Sequence, residues 1–192
     1  MAGRGYSIFD TALGRCGIAW GPLGVVGVQL PEAREIETRG RMLRQYPDAR
    51  EQRPPANVDA AIEGIAALLR GVTADLSNVI LDMTGIHAFN QRVYELTRAI
   101  PFGETRSYGE VAAKLGAPSA ANSVARAIGQ NPFMIIVPCH RVLATDGYAE
   151  RISTNCGVIS RRRLLSIEGA ANPNSKTLFD VLLPVAPSRP QH

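Results

Sequence analysis

Cys139 and His140 stand side by side in Pro138-Cys139-His140-Arg141-Val142, directly after the apolar run Met134-Ile135-Ile136-Val137. A thiol attacks as its thiolate, which a nearby base or positive charge makes available near neutral pH. Here His140 offers the base and Arg141 the charge. Adjacent side chains rarely hydrogen-bond one another, so a proton passing from Cys139 to His140 calls for a bridging water. The apolar run reads as a short buried strand or stiff extended segment, and the proline after it keeps the chain out of helix. A sulfur at the end of such an element is firmly held and reachable. Taken alone, the five residues fit a buried structural cysteine about as well, since cysteine is among the most buried residue types.

The elements that must position this pair can be read from periodicity. Phe89, Val93, Leu96 and Ile100 recur at i, i+4, i+7 and i+11, one buried helical stripe, which Pro101-Phe102-Gly103 ends. Ser107 and Glu110 form a capping-box pair at the start of a helix showing Tyr108, Val111, Ala112 and Leu115 on one face. Gly116-Ala117-Pro118 makes a tight turn, and Ser119 is placed to cap a following helix that runs to about Gly129. Helix, short glycine turn, helix is the helix-turn-helix pattern, with the second helix as the reader. A last helix is expected over residues 160–168.

Upstream, residues 6–12, 16–20 and 23–30 read as strands of an antiparallel meander, punctuated by Gly14 and Gly21-Pro22-Leu23-Gly24. Pro31 opens a helix carrying Ala33, Ile36, Met42 and Leu43 that stops at Pro47, and residues 48–55 form a charged linker. Val58, Ala61, Ile62, Ile65, Leu68 and Leu69 mark a further helix ended by Gly71, and Val79-Ile80-Leu81 a short strand. The expected fold class is α+β. A small sheet-plus-helix scaffold over residues 1–85, without chemistry of its own, precedes a helix-turn-helix, winged-helix-like domain over residues 86–170. Residues 171–192, with four prolines, are expected to form a flexible tail.

At 192 residues, 45% hydrophobic and 20% charged, the chain has the composition of an ordinary globular protein of one large or two small domains. A net charge of +4 and a pI near 9.2 suit a polyanionic partner. Cys16, Cys139 and Cys156 are too few and too far apart for a disulfide framework. The N-terminus shows no signal-peptide core, and no apolar run is long enough for a membrane span. A reducing cytoplasmic or nucleoid-associated setting is expected, which keeps a nucleophilic thiol usable.

Several ordered segments then carry a resemblance: Ser107-Tyr108-Gly109-Glu110, Gly116-Ala117-Pro118-Ser119, Gln130-Asn131-Pro132, Pro138-Cys139-His140-Arg141-Val142-Leu143, Asp146-Gly147 and Arg163 to Gly169. From about Phe89 to Ala170 the chain resembles the C-terminal domain of the O6-alkylguanine-DNA alkyltransferases, the methylated-DNA–protein-cysteine methyltransferases. The resemblance implies direct, irreversible, stoichiometric transfer of an alkyl group from guanine O6, with O4-alkylthymine as a further substrate, in duplex DNA. It implies a flipped-out base, since chemistry on a base cannot occur inside the stack. By the same resemblance Cys139 is the acceptor, His140 takes its proton through water, and Glu168 orients the imidazole. Tyr108 assists at guanine N3, Asn131 joins the reader helix to the active-site segment, and Val142 lines the pocket. The reader helix, with the small residues Ala120, Ala121, Ser123 and Ala125, enters the minor groove. No cofactor and no metal are implied: Cys16 and the more distant His87 do not make a closed metal site. The protein is expected to act as a monomer on double-stranded DNA.

Two departures from the family pattern stand out. Asn122 occupies the position of an arginine that fills the space left by the flipped base, which implies slower or weaker flipping, while Arg126 one turn on is free to meet phosphate. In the loop that closes over the base, Ser153 matches a guanine-contacting serine, but Ile152 stands in place of an aromatic residue and Cys156 in place of glycine. Arg161-Arg162-Arg163 reads as a phosphate-contacting or simply solvated basic patch. Competing classes are a lesion-binding protein without transfer, whose representatives carry tryptophan in place of Cys139, a helix-turn-helix regulator, and a cysteine hydrolase using His87. The regulator lacks an evident dimerising segment and long polar side chains on its reader helix.

Overall fold

The computed structural model describes residues 4–144 and 158–170. Strands β1 (Gly5–Thr11), β2 (Gly14–Gly21) and β3 (Gly24–Gln29) form the expected antiparallel meander. Helix α1 (Glu35–Gln45) follows, with Met42 buried on the sheet and Thr38 buried beside it. The Thr38 hydroxyl accepts the Glu32 amide at 3.0 Å, which ties the entry of the helix. Two residues expected on its inner face lie outside: Ile36 is 64% and Leu43 43% exposed. With Thr38 and Met42 one turn apart facing the sheet, both fall to the flanks.

The charged stretch expected as a linker contains a strand. β4 (Arg50–Glu51) pairs in parallel with β1, giving the sheet order β3-β2-β1-β4. Two-residue strands have no readable alternation, and their position is decided by the neighbour they meet. Helix α2 (Ala56–Leu69) buries Val58, Ala61, Ile65, Leu68 and Leu69, as its spacing predicts. Val79-Ile80-Leu81 is not a strand: only Leu81 forms a bridge, with Val25, and Ile80 is 65% exposed. The outer edge of β3 holds this connector through Val25 N–H to Ile80 O, 2.9 Å, and Asp82 N–H to Val25 O, 2.8 Å.

Helix α3 (Ala88–Arg98) begins at His87, whose Nδ1 accepts the Phe89 amide, and buries Val93 and Tyr94. β5 (Arg106–Ser107) leads into α4 (Tyr108–Lys114) through the full Ser107–Glu110 capping box. Gly116, with φ 75°, makes the turn a left-handed residue is needed for. The expected cap at Ser119 is absent: residues Pro118–Ala120 form a 3-10 turn, and α5 (Ala121–Gly129) starts at Ala120 with no side-chain cap. The 3-10 turn winds Ser119 into itself, so its hydroxyl does not stand ahead of the α5 amides. β6 (Val142–Leu143) pairs in parallel with β5, and α6 (Val158–Ile167) closes the described structure.

One apolar core runs from Ile18, Val25 and Val28 of the sheet through Tyr94, Val111, Val124 and Phe133 to Leu164. The architecture is α+β, with α4 and α5 as the helix-turn-helix pair. Among the described residues no helix is long and apolar enough to cross a membrane.

Candidate active site

The segment before Cys139 is a buried turn, correcting the short strand or stiff extended segment expected there. Met134, Ile135, Ile136 and Val137 are all buried, yet Ile135 has φ 70° and Met134 bridges Val137. A continuous apolar run signals burial on every side, which a core turn satisfies as well as a strand. A β-branched residue in the left-handed region is strained by about 1–3 kcal/mol and persists only where its surroundings fix it. Asn131 supplies much of that restraint. Its Nδ2 donates to Val137 O and its Oδ1 accepts the Phe133 amide, both at 2.9 Å, so one buried side chain staples the turn across its mouth.

Pro138 then delivers Cys139 to the first position of a 3-10 turn (Cys139–Arg141), with the Cys139 amide donating to Val137 O at 2.7 Å. The sulfur-bearing residue is only 1% exposed, not at a surface end as its position after the apolar run suggests. The turn passes through the core, so its last residue lies inside too. Val142, the next buried residue, sits behind it in β6.

His140 and Arg141 converge on Glu168, the first residue after α6. His140 Nε2 lies 2.7 Å from Glu168 Oε1, and Arg141 donates to the same carboxylate through Nε at 2.9 Å and Nη2 at 2.8 Å. The Gly103 amide adds a longer contact to Oε2 at 3.3 Å. Burial by itself pushes the Glu168 carboxyl up, but the hydrogen bonds and charges of His140 and Arg141 outweigh it and hold the group at about 2. An ionised carboxylate only accepts, so His140 Nε2 carries the proton facing it. In the neutral imidazole the lone pair is then on Nδ1, which is buried without a hydrogen-bond partner among the described residues. The ring is thus oriented as a base on the nitrogen turned away from the carboxylate.

Arg141 does something other than flank the thiol. Its Nη1 donates to Ile100 O at 2.6 Å and its guanidinium lies 5.8 Å from the centre of the Phe102 ring, so it locks Glu168 to the end of α3. Its place in the sequence predicts only a charge beside the sulfur. Its position in the turn also fits the carboxylate partner it has, but only the fold brings residues 141 and 168 together.

Tyr108 is buried at the first position of α4, and its hydroxyl accepts from Arg161 Nη1 at 3.4 Å. Arg161 therefore leaves the basic patch proposed for residues 161–163, while Arg162 and Arg163 stay exposed. On α5 the outward residues are Asn122, Ser123 and Arg126. Ala120 and Ala121 are half-buried against the core, and Ala125, expected outside, is fully buried. It is one residue from Val124 and packs on the same inner face. Ser153, Ile152 and Cys156 lie outside the described residues. Cys16 is buried in β2 with its thiol pushed up to about 11 by burial, and no three His, Cys, Asp or Glu residues gather as a metal site among the described residues.

The chain that carries this site is similar to known proteins in both sequence and fold. The family described as 6-O-methylguanine DNA methyltransferase, DNA binding domain, matches residues 88–170. A methylated-DNA–protein-cysteine methyltransferase of Mycobacterium bovis is 40% identical over 164 residues, spanning 83% of this chain and 93% of the relative. The solved O6-methylguanine methyltransferase of Mycobacterium tuberculosis superposes with a TM-score of 0.69 at 33% identity, over 92% of this chain and 99% of that one. The structure of OGT from the same organism in complex with DNA gives a TM-score of 0.68 at 32% identity, over 85% and 92%. The chain belongs to the family of methylated-DNA–protein-cysteine methyltransferases, enzymes of DNA repair by alkyl transfer.

Proposed function

We propose that Cys139 accepts the alkyl group of O6-alkylguanine, and of O4-alkylthymine, from duplex DNA in a single irreversible event. His140 Nδ1 takes the thiol proton, through water, as Glu168 holds the opposite nitrogen. Sulfur then forms a bond to the alkyl carbon while the carbon–oxygen bond to the base breaks in line. The electron pair leaves with the base, and the proton surrendered by the thiol ends on it. Tyr108 hydrogen-bonds guanine N3 as negative charge builds, with Arg161 beside its hydroxyl. Before proton transfer the charges of Arg141 and Glu168 cancel, so a thiolate–imidazolium pair forms against a neutral background.

Because Cys139 is buried, the target nucleotide has to leave the stack and part the side chains above the sulfur. Asn122, Ser123 and Arg126 present the polar surface of α5 to the duplex, and Ala120 and Ala121 let its start approach closely. Ser153, by its resemblance, contacts the extruded base. Asn131, which follows α5, closes the acceptor turn on itself. The protein works as a monomer without a cofactor.

The observation that carries this reading is the 2.7 Å His140–Glu168 contact, with His140 Nδ1 buried and without a hydrogen-bond partner among the described residues. Intact-mass analysis after incubation with a duplex containing O6-methylguanine tests it. One methyl-for-hydrogen exchange per protein, on Cys139 and without turnover, is expected, and Cys139→Ala abolishes it while keeping DNA binding. Tight binding with unchanged mass would instead make the protein a lesion binder, and methyl on Cys156 would refute the site.

A further inference from the structure

The sheet of the N-terminal half, expected to be a scaffold without chemistry, reaches directly into the acceptor turn. We infer that the edge strand β3 is a positioning element for alkyl transfer, with the Val28 backbone amide as its contact; this rests on Cys139 being the acceptor. An edge strand presents unpaired backbone groups that natural proteins cover or pair. Here the outer edge of β3 is paired twice: at Val25 with the connector, and at Val28 with the segment leading to the nucleophile. Val28 N–H donates to Pro132 O at 2.8 Å, and Val28 and Phe133 form a parallel bridge.

From that bridge a short chain of contacts ends at the sulfur-bearing residue. Asn131 accepts the Phe133 amide and donates to Val137 O. Val137 N–H donates back to Phe133 O at 2.8 Å, and the same Val137 carbonyl accepts the Cys139 amide. Asn131 closes the turn on itself but cannot place it relative to the rest of the molecule. Pairing with β3 does, and it anchors a turn containing the strained Ile135.

Gly27 shows how close the approach is. A Cβ there would stand 3.1 Å from Pro132 O and overlap the Tyr46 hydroxyl, which itself donates to Val26 O at 3.3 Å. The missing side chain lets the sheet edge meet the turn with the Tyr46 hydroxyl packed against Gly27. A displacement of about 1 Å at a reacting atom can cost about 10²-fold in rate. The polar face of α5 that meets DNA belongs to a different element, so placement and DNA affinity are separable.

The test compares Val28→Pro and Gly27→Ala with the unaltered protein. Val28→Pro removes the amide that pairs with Pro132 O without touching the β2–β3 ladder, and Gly27→Ala displaces the Tyr46 hydroxyl and crowds Pro132 O. Single-turnover methyl transfer at saturating duplex and the duplex Kd are measured together. The rate of Cys139 alkylation by iodoacetamide, located by peptide mass, is followed across pH. Expected are a transfer rate lowered at least tenfold in both variants, a Kd within twofold, and an altered Cys139 pH–rate profile. Rates within twofold of the unaltered protein would overturn the inference, as would transfer and DNA affinity falling in parallel. If the unaltered protein takes no methyl group from the duplex, the proposed function fails, and the iodoacetamide profiles alone decide whether β3 positions Cys139.

Discussion

His140 and Arg141, neighbours in sequence, both address one oxygen of Glu168: Nε2 at 2.7 Å and Nη2 at 2.8 Å from Oε1. The carboxylate thereby serves two tasks. It fixes which imidazole nitrogen is the base, and it neutralises a buried guanidinium.

Glu168→Gln separates these tasks from simple packing. The amide no longer balances Arg141, and leaving one partner of a buried pair costs about 3–5 kcal/mol. The amide can donate as well as accept and carries no charge, so it no longer fixes the imidazole tautomer or balances an imidazolium, and transfer slows by about 10²–10⁴-fold. Urea unfolding and single-turnover transfer measure the two losses, and retained transfer at full rate would refute the relay.

Acid sensitivity follows from the same carboxylate. Its group titrates at about 2 in the folded chain against an ordinary value of 4.5. A lowered folded-state value stabilises the fold above the unfolded value, and that share is lost as pH falls from about 4.5 towards 2. The stability difference between the unaltered protein and Glu168→Gln therefore narrows over this window. Chemical denaturation at about pH 6, 4 and 3 checks the sign.

Asn131→Ala removes both staples of the acceptor turn and leaves Val137 O and the Phe133 amide buried without that partner. A buried group left unsatisfied costs about 1–3 kcal/mol. Melting temperature falls, and transfer falls further than stability alone accounts for, because the sulfur loses its placement. Equal transfer at a temperature where both proteins are folded would contradict this.

Tyr108→Phe keeps the buried ring and removes the hydroxyl that meets Arg161. Loss of one donor to developing negative charge lowers transfer by about 10²-fold, with duplex affinity unchanged. The comparison of rate at saturating DNA with Kd reads this directly.

On the DNA face, Asn122→Arg restores a long cation on α5 and is expected to speed transfer, through easier extrusion of the base, more than it tightens binding. Arg126→Ala weakens binding evenly across sequences and reduces the slope of log K against log salt by about 1. Fluorescence of a base analogue at the target position, with titrations at several salt concentrations, distinguishes the two effects.

Much of this site was legible beforehand because its signals are local. The Ser107–Glu110 capping box, the glycine turn at Gly116 and the apolar stripe through Val93 each need only a few neighbouring residues, and all three are present. Cys139 and His140 stand out by residue type and Asn131 and Glu168 by the resemblance; in the fold Asn131 and Cys139 share Val137 O, and His140 meets Glu168. What stayed hidden depends on pairing across distance. β4 is two residues long, Val28 meets Pro132 from the far half of the chain, and Arg141 finds Glu168 rather than the thiol. The turn at residues 134–137 has the sequence of an extended segment because apolar content reports burial, not backbone direction. The left-handed Ile135 has no sequence mark at all.

The 1% exposure of Cys139 bears on the fate of the adduct. A thioether made there is uncharged and shielded from hydroxide, cellular thiols and any second protein that could strip it. On the proposed transfer to Cys139, each molecule is a consumable whose supply in the cell must match the number of lesions, one for one.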